Sequence, residues 1–236
     1  NEGLNDIYEA TFEYDGVLVM VDVLHKKSNG SFEIYEVKSS TEAKDIFRHD
    51  ASIQYYVLNG LGYDVSDVYI TILNTDYIRG DELDVRQLFT HVKVTDDVLA
   101  LQGDIPATLG KFRETLTDRV NEPDIDIGRH CKKPYPCDAI DYCWKQQRNI
   151  PEYSVFNIFQ MNKNPKSVQL YKDGIVAVED IPDTMKLTDI QQYKVDAWKA
   201  QRPVVNKDAI KSFIDSISYP IYHFDFETLG PAIPKF

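Results

Sequence analysis

Gly16-Val17-Leu18-Val19-Met20-Val21-Asp22-Val23-Leu24-His25, then a turn at Asn29-Gly30, then Phe32-Glu33-Ile34-Tyr35-Glu36-Val37-Lys38: this stretch decides the fold. Both runs are rich in Val, Ile, Tyr and Phe, which suit a pleated surface, and both are bounded by turn chemistry, so each reads as a strand. Asp15-Gly16 is a hairpin signal before the first run, and Ile7 to Tyr14 supplies the strand that precedes it. A period of two sets Leu18, Met20, Asp22 and Leu24 on one face of the middle strand, and Ile34, Glu36 and Lys38 on one face of the next. Asp22 is then a carboxylate in an apolar strand, where burial without a partner costs several kcal/mol. A strict two-residue turn at Asn29-Gly30 pairs Asp22 with Val37. A bulge or a longer loop brings it across from Glu36 instead, and the sequence leaves both registers open.

Working outward, Ser39 and Glu42 have capping-box spacing, and Phe47, Ala51 and Leu58 with Gln54 make the stripe of a helix that Gly60 and Gly62 end. Val68 to Leu73 reads as the next strand, giving the order β-β-β-α-β. Beyond it the pattern predicts a strand over Leu88 to Val94 and helix from Asp96 to Val120, interrupted at Gly103 to Pro106. It further predicts a strand over Ile175 to Val178, a helix over Thr188 to Ala200 capped by Thr188 and Gln191, a helix over Asp208 to Ile217, and a strand-like run from Pro220 to Glu227. The fold class is α/β.

With 236 residues, 43% of them hydrophobic and 27% charged, and 11 Gly and 11 Pro, the chain is neither collagen, coiled coil nor bulk disorder. Its most apolar window, residues 16–21, is cut by Asp22, far short of the ~20 residues of a bilayer span. No signal-peptide layout precedes it, so a cytoplasmic protein without a membrane partner is expected. The three cysteines all fall between 131 and 143, which suggests a shared ligand role in a reducing compartment. A net charge of −12 argues against nucleic acid, yet Arg129, Lys132, Lys133, Lys145 and Arg148 outnumber Asp138 and Asp141 around the cysteines. That patch reads either as a solvated loop or as a phosphate-facing surface. The sequence opens at Asn1 and closes at Phe236 in mid-pattern, as a fragment of something longer is expected to do.

Two carboxylates and a lysine converging at a sheet edge suit Mg²⁺ or Mn²⁺ chemistry on a phosphate, the carboxylates holding the ion and the ammonium orienting or activating water. An ordinary buried ion pair of Lys38 with Asp22 or Glu36 is the alternative.

Asp22, then Glu36-Val37-Lys38, then a helix bearing Gln54, resembles the core of the PD-(D/E)XK nuclease superfamily, in particular its RecB-like branch. The resemblance implies a restriction-endonuclease-like core, a mixed central sheet flanked by helices, with Asp22 and Glu36 as metal ligands, Lys38 as the catalytic lysine and Gln54 in support. A tyrosine that many members carry four residues after the glutamine is Leu58 here. The family's preceding helix, which often adds a ligand, is expected to be missing by N-terminal truncation, with Glu9 as a stand-in or an exposed strand carboxylate.

Cys131, Cys137 and Cys143, with Pro134, Pro136 and Trp144 around them, are spaced too evenly for the usual zinc knuckles. They resemble the C-terminal cysteines of RecB-like nucleases that carry a 4Fe-4S cluster, whose fourth cysteine lies near the N terminus; unrelated buried cysteines are the alternative. His223-Phe224-Asp225-Phe226-Glu227-Thr228 resembles the first motif of DnaQ-like 3′-5′ exonucleases, which implies metal ligation by Asp225 and Glu227; an acidic pair on a solvated strand edge is the bland alternative. The expected organisation is a RecB-like domain over 1–148 including 131–143, a short α/β connector over 149–218, and the first strand of a DnaQ-like domain over 219–236. The expected function is metal-dependent hydrolysis of phosphodiester bonds, with DNA as partner. A catalytically silent nucleic-acid-binding or scaffolding module of the same fold is the alternative.

Overall fold

The structure is a computed structural model that describes residues 5–159 and 165–233. Nine residues from Asp6 to Tyr14 form β1, Val17–Lys26 form β2 and Phe32–Val37 form β3. Helix α1 (Asp45–Gly60) leads to β4 (Val65–Leu73), and the short α2 (Val85–Leu88) leads to β5 (Phe89–Lys93). Helices α3 (Thr95–Leu101) and α4 (Ile105–Thr117) follow. The five strands lie in sequence order in one mixed sheet, antiparallel except for β3 and β4, whose parallel pairing requires the crossover that α1 provides. The chain is thus α/β around a mixed five-stranded sheet.

Helix α1 packs on the sheet through Phe47, Ala51, Val57 and Leu58, and α3 adds Val98 beside it. Against them stand Val21, Leu24, Ile34, Val68 and Ile70, all but inaccessible to solvent. Arg48 on α1 reaches Asp97 on α3 at 2.8 Å, tying the two helices. The opposite face of the sheet forms an open concavity of about 690 Å³ lined by Tyr8, Val23, His25, Tyr35, Phe89 and His91 among others.

Several expectations need correction. Ser39 and Glu42 do not cap α1, which begins at Asp45; Ser40 instead closes a local turn with Glu42. Ile175 to Val178 is not a strand. Gly174, at φ +80°, ends helix α6 (Lys166–Lys172), and a 3₁₀ turn at Val178–Asp180 follows, because no strand among the described residues offers that run a ladder. The same reason applies to Pro220 to Glu227, which is irregular and leaves Tyr222, Phe224 and Phe226 exposed. By contrast, α7 (Asp189–Ala200) carries the expected box: Thr188 Oγ1 accepts from the Gln191 N–H at 3.3 Å, and Gln191 Oε1 accepts from the Thr188 N–H at 3.0 Å. Helix α8 (Lys207–Asp215) matches the last helical pattern.

By contacts the chain divides into two units, Asn1–Glu122 with Phe226–Phe236, and Pro123–Asp225. The cysteine segment therefore lies in the second unit, whereas the expected organisation groups it with the sheet through residue 148. That unit has its own core of Ile127, Val155, Phe159, Leu170, Val178 and Val195, drawn from short turns, helices α5 (Val155–Ile158) and α6, and α7. Among the described residues no helix is long and apolar enough to cross a membrane.

Candidate functional site

Two local devices bring the carboxylates together. The first is the β2–β3 hairpin. Lys27 N–H donates to Ser31 O at 2.8 Å and Gly30 N–H donates to Lys27 O at 3.0 Å, so the loop has three residues, Ser28-Asn29-Gly30, with Gly30 at φ +92°. This loop sets Val23 opposite Tyr35 and Leu24 opposite Ile34, and the same count carries Asp22 to Glu36. The longer-loop register is therefore the one adopted.

The second device lies on β2 itself. Val19 and Val21 are buried while Leu18 and Met20 are exposed, yet the next buried residue is Leu24. The core-facing side passes from odd to even positions at Asp22, where Glu9, the residue opposite on β1, takes a left-handed φ of +51° and drops out of the ladder. The expectation that Leu18, Met20, Asp22 and Leu24 share one face is corrected accordingly. The break turns Asp22 toward the side that carries Glu36. Glu9 itself is exposed.

Asp22 Oδ2 accepts from the Val37 N–H at 2.7 Å, just past the end of the β2–β3 ladder. Glu36 is 5% exposed, and its two oxygens are used separately. Oε1 lies 2.5 Å from Lys38 Nζ, and Oε2 accepts from Gln54 Nε2 at 2.6 Å. Burial pushes the Glu36 carboxyl above its ordinary range and Asp22 adds to the rise, against the opposing pull of Lys38 and Gln54. Lys38 continues past the strand end with its N–H on Thr71 O at 2.9 Å, so β4 fixes its backbone. Its ammonium also contacts Asp50 Oδ2 at 2.6 Å and stands 5.5 Å from the Phe47 ring centre. Asp50 was not among the expected residues; it lies four residues before Gln54 on α1, but its exposed position gives it the look of an ordinary solvated charge.

The donors suit a hard divalent cation. Glu36 supplies a buried carboxylate, and Asp22 a second one near it. Gln54 Oε1 is buried with no hydrogen-bond partner, an oxygen with spare lone pairs beside Glu36. Mg²⁺ commonly uses one or two carboxylates and leaves its other positions to water and substrate phosphate. Among the described residues no group of three or more His, Cys, Asp or Glu is placed to hold a metal ion.

The other expected ligands are not gathered. Cys131 is buried, Cys137 exposed and Cys143 half-buried; all three are free, and three thiols fall one short of the four of an iron–sulfur site. Cys131 and Cys137 are linked through backbone, the Cys137 N–H donating to Cys131 O at 2.9 Å. Asp225 and Glu227 are exposed in the irregular segment, without the strand that would have aligned them. No family model, curated protein or solved structure matches the chain.

Proposed function

We propose that the chain is a metal-dependent nuclease that hydrolyses phosphodiester bonds, with DNA as its substrate, in the manner of the PD-(D/E)XK enzymes. The observation that carries this reading is the meeting of Glu36, Lys38 and Gln54 on the α1 side of the sheet, with Asp22 held beside them by the Val37 N–H. Asp22, Glu36 and the Gln54 amide oxygen would hold Mg²⁺ or Mn²⁺. When bound, the ion supplies Lewis-acid stabilisation of charge on the phosphate. Lys38 orients the attacking water through its ammonium and neutralises developing negative charge, a role that requires it to stay protonated; its hydrogen bonds to Asp50 and Glu36 outweigh burial and raise its pKa. Gln54 holds the Glu36 carboxylate in one orientation from the helix side.

Lys38→Ala is expected to lower cleavage of DNA by at least about a hundredfold while Mn²⁺ still binds, measured by nuclease assay and calorimetry, because lysine is not a ligand. Cleavage retained in that variant would overturn the reading. A wild-type chain that binds DNA without cutting it would favour the silent module, for which the ion pairs around Lys38 are a purely structural knot. The cysteines take no part in this reaction. A chain that purifies brown without oxygen and loses its colour on Cys137→Ser carries an iron–sulfur cluster on Cys131, Cys137 and Cys143, and a colourless one does not.

A further inference from the structure

Asp50 and Glu36 share the Lys38 ammonium almost equally, at 2.6 and 2.5 Å, yet they differ in setting. The Glu36 side chain is 6% exposed and belongs to the sheet; that of Asp50 is 47% exposed and belongs to α1. A divalent cation on Glu36 and an ammonium on the same carboxylate repel each other, so the ammonium needs another anchor within reach. Asp50 is already in contact with it, and the Lys38 backbone need not move.

On the basis of the nuclease reading above, we propose that Asp50 is a positioning residue, which receives the Lys38 ammonium when the Glu36 carboxylate is given over to a divalent cation and holds it at the place from which it orients water. Without Asp50, the ammonium must be stripped from Glu36 with nothing to take it. Cation binding then weakens, and the lysine is left to wander among rotamers during turnover.

The test combines Asp50→Asn, Asp50→Glu, Lys38→Met and the double variant Asp50→Asn/Lys38→Met, with Mn²⁺ affinity measured by calorimetry and DNA cleavage by steady-state kinetics. Asp50→Asn should weaken Mn²⁺ binding on the order of tenfold when Lys38 is present, since a hydrogen bond to a charged group has about that effect. It should do much less in the Lys38→Met background, because the loss acts through the lysine. In cleavage, kcat should fall with KM little changed, and Asp50→Glu should restore a large part of it.

An equal loss of Mn²⁺ affinity in both backgrounds would show Asp50 acting as a plain negative charge and would overturn the proposal. So would an undiminished kcat in Asp50→Asn, with the nuclease reading left standing. Loss of helical circular dichroism in both Asp50 variants would give the residue a folding role instead and is equally fatal. A wild-type chain that neither binds Mn²⁺ nor cleaves DNA removes both readings together.

Discussion

Glu36 and Asp126 are both carboxylates hydrogen-bonded to a cation, and their acidities move in opposite directions. Around Glu36 burial dominates and the pKa rises. At Asp126 burial also pushes upward, but the Tyr171 hydroxyl, the Ile127 N–H and the Arg148 guanidinium together outweigh it and hold the carboxyl below its ordinary range. A carboxylate whose folded pKa is depressed stabilises the fold above its unfolded value of about 3.9, and that contribution is lost as the pH falls through the folded value. Asp126→Asn should therefore melt at a lower temperature than the wild type at pH 7, with the gap closing as the pH falls below the unfolded value and on through the depressed folded one, in thermal denaturation followed by circular dichroism. Asp126 is more than half exposed, so solvent screening keeps the shift to a few degrees at most. At this scale strand spacing suggested that Asp22, Glu36 and Lys38 could converge, and the resemblance to the PD-(D/E)XK pattern singled them out together with Gln54. Asp50 was not legible, since an acidic residue on the exposed flank of a helix looks like any solvated charge until a lysine is seen to reach it.

Among elements, the β2–β3 hairpin has the most direct bearing on the site, and its key residue is Gly30 at φ +92°. A Cβ added there meets nothing within 4 Å, so the cost of Gly30→Ala lies in the backbone alone. It should be roughly 1–2 kcal/mol in urea denaturation. A fourth loop residue inserted after Asn29 should do something different in kind. It moves β2 by one position against β3 and exchanges Asp22 for a neighbour opposite Glu36, so Mn²⁺ binding should fall even if the sheet survives. The strands and α1 were legible because alternation, turn glycines and a helical stripe agreed with one another. The register was not, because Asn29-Gly30 serves both a two-residue turn and the last two positions of a three-residue loop. Ile175 to Val178 and Pro220 to Glu227 misled for a related reason: β-rich composition describes a side-chain preference, and a strand also needs a neighbour to bond its backbone.

For the molecule as a whole, the division into two units with separate cores was not legible from composition, since the polar connection from Asn121 to Asp126 resembles any surface loop. Helix α8 is described without a buried residue, and Ile210, Phe213, Ile214 and Ile217 stand 39–68% exposed at helical spacing. A stripe of that kind favours association. Phe213→Glu should raise the protein concentration at which light scattering first reports oligomers. The candidate residues that meet, for their part, fall between Asp22 and Gln54, on β2, at the end of β3 and just past it, and on the helix that follows. Such nearby contacts close early along the chain, before any long-range pairing is required. The proposed chemistry is therefore written into one short cassette of the chain, which leans on the rest of the sheet through the bond from the Lys38 N–H to Thr71 O on β4.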